Sequence, residues 1–342
     1  MAMKTQILTA EQLDVAVELL KNGECVAFPT ETVYGLGANA LDEEAVKKIF
    51  LAKGRPADNP LIIHCASKAQ VFNLVTEIHP EAEILMKHFW PGPLSLVLSK
   101  SDIVPKIVTG GLDTVAIRIP DHPLALTLIE RSELPIAAPS ANTSGKPSPT
   151  RASHVYADLA SKIPAILDGG STGWGVESTV LDCTVYPFRL LRPGGVTVEE
   201  LREFTAVELD AGVYEDQQNN EKPRSPGMKY RHYSPNATVI LVEGDNIPSR
   251  INQLVKEQDL TTTKVGVLAT SETKQLYSGL TVLEMGSRTD LRQIAANLYH
   301  LLRQVDELEL DLVYVEGLTN DQMGMAIMNR LRKAAGYKVV YS

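Results

Sequence analysis

The stretch ATVILVE (237–243), PSRINQLVKEQ (248–258) and KVGVLA (264–269) decides the fold class. Its first and third parts are apolar, β-branched and of strand length, and the second follows a helical pattern. Strand, helix and strand in that order make a βαβ unit, in which the intervening helix lets the two strands run parallel. The alternation continues with strands expected at 280–284, 311–315 and 337–341 and helices at 288–304 and 321–335. Residues 237–342 therefore read as a small βαβ domain with a mainly parallel sheet. It has no Gly-x-Gly-x-x-Gly turn and no Walker lysine, and its one histidine, His300, falls inside an expected helix. Candidate chemistry lies elsewhere.

Upstream, the run DQQNNEKPRSPG (216–227) is polar and proline-containing, the composition of an exposed linker, here assigned to 206–236. Before it, residues 1–205 hold many short apolar runs bounded by Pro and Gly. These are expected strands at 25–28, 60–65, 94–98, 115–119, 136–138, 165–167, 178–182 and 188–191. Helical patterns fall at 10–22, 43–52, 68–76, 80–89, 123–132 and 198–204, the first opened by a Thr9/Gln12 capping box. Strands with unevenly spaced helices define an α/β (α+β) sheet domain.

The chain has 342 residues, enough for two domains, with 44% hydrophobic and 22% charged side chains, as expected of a folded soluble protein. Its longest apolar runs fall far short of the roughly 18 to 20 residues of a membrane span, and no secretory leader pattern opens it. Three cysteines in an odd, unpaired spacing suit reduced thiols in a cytoplasmic protein. A formal charge of −9 excludes a general polyanion clamp, and no long segment is basic.

Polar residues in unusual contexts concentrate at segment ends of the first domain. PTETVYGLG (29–37) follows a strand and either presents hydroxyls to a small ligand or forms a plain turn. KGRPADNPL (53–61) places Lys53 and Arg55 on a loop stiffened by two prolines. Such cations suit a triphosphate, although a solvated basic turn is the commoner use of these residues. Arg118 sits in the apolar strand of TVAIRIPDHP (114–123) and needs a partner, either a substrate carboxylate or an acidic side chain of the protein. APSANTSGKPS (138–148) becomes a small-polar loop able to cradle an anion, GVEST (175–179) enters a strand, and LLRPGG (190–195) adds Arg192 on a constrained turn. Several fixed cations, hydroxyls and His64, without a Ser-His-Asp triad or a metal-spaced cluster, fit catalysis by positioning and charge stabilisation at a phosphoryl centre.

Those motifs, with WPGPLSLVL (90–98), STVLD (178–182) and SPGMKYRHYSP (225–235), occur in an order that resembles the YrdC/Sua5 family in its two-domain form. The resemblance implies a twisted open sheet with a concave face, followed by a Rossmann-like domain. It also implies a nucleotidyltransferase that condenses L-threonine, bicarbonate and ATP to threonylcarbamoyl-AMP and pyrophosphate for N6-threonylcarbamoyladenosine modification of tRNA. By the same resemblance Thr32, His64, Arg118, Ala138 and Ser178 would hold threonine. Arg55, Asn59, Thr114, Ser140, Ser148, Arg192, Pro226 and Tyr230 would hold ATP, while Lys53, Arg55, Ser140 and Asn142 would act at the phosphates. Tyr230 and His232 would form a lid. Mg2+ is expected with ATP and no dedicated metal ligands are. The expected partners are the small-molecule substrates and a tRNA threonylcarbamoyl transferase complex that receives the product. The alternative is an RNA-binding or ribosome-associated module, against which the first domain's net charge of −6 speaks.

Overall fold

In a computed structural model of the chain, residues 3–213, 223–225 and 232–342 are described. They fall into two compact units, Met1–Ser144 with Ser148–Lys229, and Gly145–Pro147 with Tyr230–Ser342.

The first unit contains, in chain order, β1 (Gln6–Leu8), α1 (Leu13–Lys21), β2 (Val26–Phe28), β3 (Gly35–Asn39), α2 (Glu43–Lys53), β4 (Ile62–His64), α3 (Lys68–Leu74), α4 (Pro80–Phe89), β5 (Leu94–Ser99) and β6 (Thr114–Arg118). There follow α5 (Pro123–Ser132), β7 (Ile136–Ala137), α6 (Ala152–Leu159), β8 (Ala165–Leu167), β9 (Thr179–Asp182), β10 (Phe188–Arg192), α7 (Val198–Arg202) and β11 (Val207–Leu209). Its strands make one mixed sheet in the order β1-β8-β2-β3-β7-β4-β6-β5-β9-β10-β11. Leu13, Val17 and Leu20 of α1 pack with Leu128 and Ile129 of α5 and with Phe28 of the sheet in a buried core.

Local chemistry sets the element ends. The Asp42 carboxylate accepts from the amides of Glu44 (2.9 Å) and Ala45 (3.2 Å), capping α2, and Gly54 closes it in a left-handed conformation (φ 63°). This puts Lys53 inside the helix rather than on the following loop. Pro80 and Pro123 open α4 and α5 at the position where a missing amide costs nothing. One strand is not expected from the sequence. Gly35–Asn39 is a central strand because Gly37 admits close neighbours: a Cβ there would come within 2.6 Å of both Phe28 Cε1 and Ile136 Cγ2. Likewise Val207–Leu209, within the expected linker, pairs in parallel with β10.

The second unit alternates β12 (Thr238–Glu243), α8 (Ile247–Lys256), β13 (Val265–Thr270), β14 (Thr281–Gly286), α9 (Leu291–Glu307), β15 (Leu312–Glu316), α10 (Gln322–Ala334) and β16 (Val339–Tyr341). Its strands pair in parallel in the order β14-β13-β15-β12-β16. Counted from β12 that order is 3-2-4-1-5, which departs from the 3-2-1-4-5 arrangement of a dinucleotide-binding sheet and sets β13 against β15.

Candidate active site

The site is built on one face of the central strands of the first sheet. Side chains alternate along a strand, so Thr114, Ala116 and Arg118 of β6 share a face. Register then places Ile62 beside Ala116, His64 beside Arg118 and Val97 beside Ala116, all on that face. Strand pairing alone thus brings His64 and Arg118, distant in sequence, side by side at the C-terminal ends of β4 and β6.

Arg118 is buried, with 3% of its surface exposed, and its donors fan out. Nε donates to Gly92 O (3.1 Å) and Nη1 to the Thr32 hydroxyl (3.0 Å). Nη2 stands 2.5 Å from Glu31 Oε1. That last contact is at ion-pair distance without hydrogen-bond alignment, and both Glu31 oxygens and Arg118 Nη2 lack a hydrogen bond. The Thr30 hydroxyl donates to Val33 O (2.6 Å), so the Thr32 hydroxyl, 2.8 Å from it, donates to Thr30 while accepting from Arg118. His64 is pushed down to about 3 by burial and then by the charge of Arg118, so its ring is neutral, and its Nδ1 has no hydrogen-bond partner.

From Arg118 the contacts run round a ring. Ser95 stands next to Arg118 on the neighbouring strand, and its hydroxyl is 2.8 Å from that of Ser178. Arg192 grips Ser178 through Nε on its carbonyl (3.1 Å) and Nη2 on its hydroxyl (3.2 Å). The turn after Arg192 needs its glycine, since a Cβ on Gly194 would overlap the backbone of Glu177, Ser178 and Thr179. The adjacent Glu177 accepts from the Ser148 hydroxyl (2.5 Å). Tyr34 N donates to Pro149 O (2.8 Å), returning the ring to the loop that carries Thr32.

The loop after β7 joins at Tyr34 O, which accepts from Ala141 N (2.8 Å). Lys53, 2% exposed, donates to Ser140 O (2.5 Å) and Asn142 O (2.6 Å) and so holds this loop. The Ser140 hydroxyl donates to Asn142 Oδ1 (2.6 Å). Ala138 is buried and its amide donates to Ile62 O (2.9 Å). Arg55 is half-buried and folds back on Asn59 O (3.4 Å) and Pro60 O (3.0 Å), while Asn59 Oδ1 is buried without a hydrogen bond. Asn59 thus lies at the N-terminal end of β4, and Thr114 begins the parallel β6 beside it.

Seven of the candidate residues therefore separate into two groups. Thr32, His64, Arg118 and Ser178 gather at one end of β4 and β6, and Arg55, Asn59 and Thr114 at the other. Ala138, Ser140, Asn142 and Ser148 lie along the loop after β7. Arg192, expected with ATP, contacts Ser178 of the first group. Pro226 and Tyr230 lie outside the described residues. His232 belongs to the second unit, its ring 5.5 Å from that of Tyr233. Sequence reading left Glu31, Ser95 and Glu177 unassigned. All three stood inside quoted motifs, Ser95 within WPGPLSLVL, but none carried an assigned role. Among the described residues no cluster of three His, Cys, Asp or Glu could hold a metal ion, and no helix is long and apolar enough to cross a membrane. The three cysteines are free and buried, and burial pushes Cys25 and Cys65 up to about 12.

A mixed α/β scaffold here gathers buried cations and hydroxyls at its strand ends. Residues 18–194 match the Sua5/YciO/YrdC family, described as telomere recombination, and residues 196–336 match the threonylcarbamoyl-AMP synthase C-terminal domain. The chain is 52% identical to the threonylcarbamoyl-AMP synthase of Pyrococcus abyssi, over 96% of this chain and 95% of that one. It is 53% identical to the Bacillus subtilis enzyme of that name, over 96% and 94%. Its fold superposes on P. abyssi Sua5 complexed with L-threonine with a TM-score of 0.94, at 50% identity and covering 99% of this chain and 100% of that one. The chain belongs to the threonylcarbamoyl-AMP synthase family in its two-domain Sua5 form.

Proposed function

We propose that the chain condenses L-threonine, bicarbonate and ATP into threonylcarbamoyl-AMP, with threonine at the C-terminal ends of β4 and β6 and the nucleotide towards their N-terminal ends. The observation that carries this is the span of β6. Thr114 and Arg118 share one face four residues apart, roughly 13 Å at about 3.3 Å per residue. That is the reach of a carbamoyl-adenylate from its amino-acid carboxylate to its ribose.

In this reading Arg118 takes the threonine carboxylate, and Thr32, Ser178 and the Ala138 backbone orient the rest of the molecule. Neutral His64 supplies a hydrogen-bonding ring without repelling an ammonium. Arg55 swings from its own loop carbonyls to the phosphates, with Asn59, Thr114, Ser140 and Ser148 along the nucleotide. Lys53 is a positioning residue that fixes the loop of Ser140 and Asn142. Once threonine is a carbamate, its oxygen attacks the α-phosphorus in line and pyrophosphate leaves, so no protein nucleophile is needed. ATP enters as its Mg2+ complex. Mg2+ keeps several waters and takes phosphate oxygens, which suits a pocket without a carboxylate cage.

The product is handed to the tRNA threonylcarbamoyl transferase complex, a reading supported by the acidic first domain, which is ill suited to holding tRNA. Buried, free thiols fit a reducing, cytoplasmic setting. The test is pyrophosphate release by the purified chain. Release is expected only with threonine, bicarbonate and ATP together. Release that persists without threonine or bicarbonate, or none with all three, overturns the reading.

A further inference from the structure

We infer that Glu31 is a catalytic residue of this site: it pairs with the ammonium of the bound amino acid and takes the proton that must leave before the carbamate can form. This rests on the proposed reaction. Glu31 is 8% exposed, and apart from the 2.5 Å ion pair between its Oε1 and Arg118 Nη2 neither carboxylate oxygen has a hydrogen-bond partner among the described residues. A buried carboxylate offers about four lone-pair sites, and an unmet buried acceptor is costly, so a carboxylate serving only as a counter-ion would be expected to fill them. The other nitrogens of Arg118 are committed to Gly92 and Thr32, which aims the unfilled edge of the pair away from them. A guanidinium and a carboxylate side by side, both out of water, complement a zwitterion, with carboxylate to Arg118 and ammonium to Glu31.

The groups facing this pair from neighbouring elements do not compete for the role. His64 of β4 is neutral because burial and Arg118 lower it. His122, ahead of α5, is lowered by burial although the charges of Glu31 and Asp121 oppose this. His122 Nδ1 also lacks a hydrogen bond.

The step balances as follows. The Glu31 carboxylate takes one proton from threonine's ammonium, leaving a carboxylic acid and a free amine. The amine nitrogen then forms a bond to the carbon of bicarbonate, and a C–O bond breaks. An amine and bicarbonate become a carbamate anion and one water.

The test uses L-threonine and (2S,3R)-2,3-dihydroxybutanoate, the same acid with a hydroxyl in place of the amine. By calorimetry the wild-type chain should prefer threonine by at least ~100-fold. E31Q should lose ~30-fold or more for threonine and less than ~3-fold for the hydroxy acid. In pyrophosphate release, E31Q should fall 10²- to 10⁴-fold at pH 7, the usual range for a lost general base. Its rate should then climb about tenfold per pH unit until the amine of threonine itself titrates, with partial rescue in E31D. Equal loss of both ligands in E31Q, or a deficit that stays constant with pH, overturns the inference. Should E31Q not fold, the wild-type comparison still decides, because equal affinity for the two acids excludes an ammonium partner. A wild-type chain that releases no pyrophosphate breaks the proposed reaction, whereas the ligand preference tests Glu31 separately.

Discussion

Each unit has a Glu–Arg pair with a buried carboxylate, Glu31 with Arg118 and Glu316 with Arg288, and the two are finished differently. In the second unit Glu316 ends β15 with none of its surface exposed. It accepts from the Thr270 amide (3.1 Å) and hydroxyl (3.0 Å), from the Thr273 hydroxyl (2.8 Å), from the Tyr277 hydroxyl and from Arg288 Nη2 (3.1 Å). The remaining nitrogens of Arg288 go to Thr270 Oγ1 and Gly317 O. Burial, followed by the hydrogen bond to Glu316, raises Tyr277, which therefore stays a donor. In the first unit Glu31 touches Arg118 and has no hydrogen bond at all. A saturated pair pins strand ends together, while an unsaturated one keeps its polarity for a ligand. Under the proposed reaction, function belongs to the first pair and stability to the second.

The largest expected effect would break the saturated pair. Glu316→Ala leaves Arg288 Nη2 and the Tyr277 hydroxyl without their acceptor, and should cost about 3–5 kcal/mol in the denaturant transition of the second unit. Threonine affinity should stay within ~2-fold, and a comparable loss of ligand would erase the contrast. Next is acid. His64 titrates at about 3 in the fold against ~6.5 unfolded. The unfolded chain therefore binds the extra proton, and stability contributed by the neutral ring is present above pH 6.5 and lost as pH falls towards 3. The loss at the lower end is roughly 3–5 kcal/mol, read from unfolding midpoints against pH and flattened in His64→Asn.

Arg118→Met should weaken threonine by about 2–5 kcal/mol and ATP by less than ~3-fold, measured by calorimetry with each ligand alone. The smallest effect is assigned to the half-exposed cation: Arg55→Ala should weaken ATP by ~1.5–3 kcal/mol and leave threonine nearly unchanged. Equal losses of both ligands in both variants would contradict a site with two ends.

Much of this was legible because local rules agree with the fold. Pro80 and Pro123 open helices where the sequence places them, and 165–167 and 188–191 are strands within a residue of the reading. What escaped depends on distant partners. Gly35–Asn39 has one bulky residue, Leu36, between two glycines, too little to announce a strand, and Gln6–Leu8 pairs as a strand with Ala165–Leu167 beside it. The site divides in the same way. Arg118 and Ser178 stand in quoted motifs and His64 in an expected strand, but Glu31 becomes the neighbour of Arg118, and Ser95 of Ser178, only where loops and strands distant in sequence meet. The network around Glu316 was missed altogether. Its members are spread from Thr270 to Glu316, and they meet because β15 inserts beside β13 rather than following β14 at the edge.

The most direct measurement is a crystal structure of the chain with L-threonine and a non-hydrolysable ATP analogue. The account predicts the threonine carboxylate on Arg118 with its ammonium on Glu31, and the nucleotide running along β6 towards Arg55, Asn59 and Thr114. Threonine at the Thr114 end, or either ligand bound at Glu316 and Arg288, would contradict it.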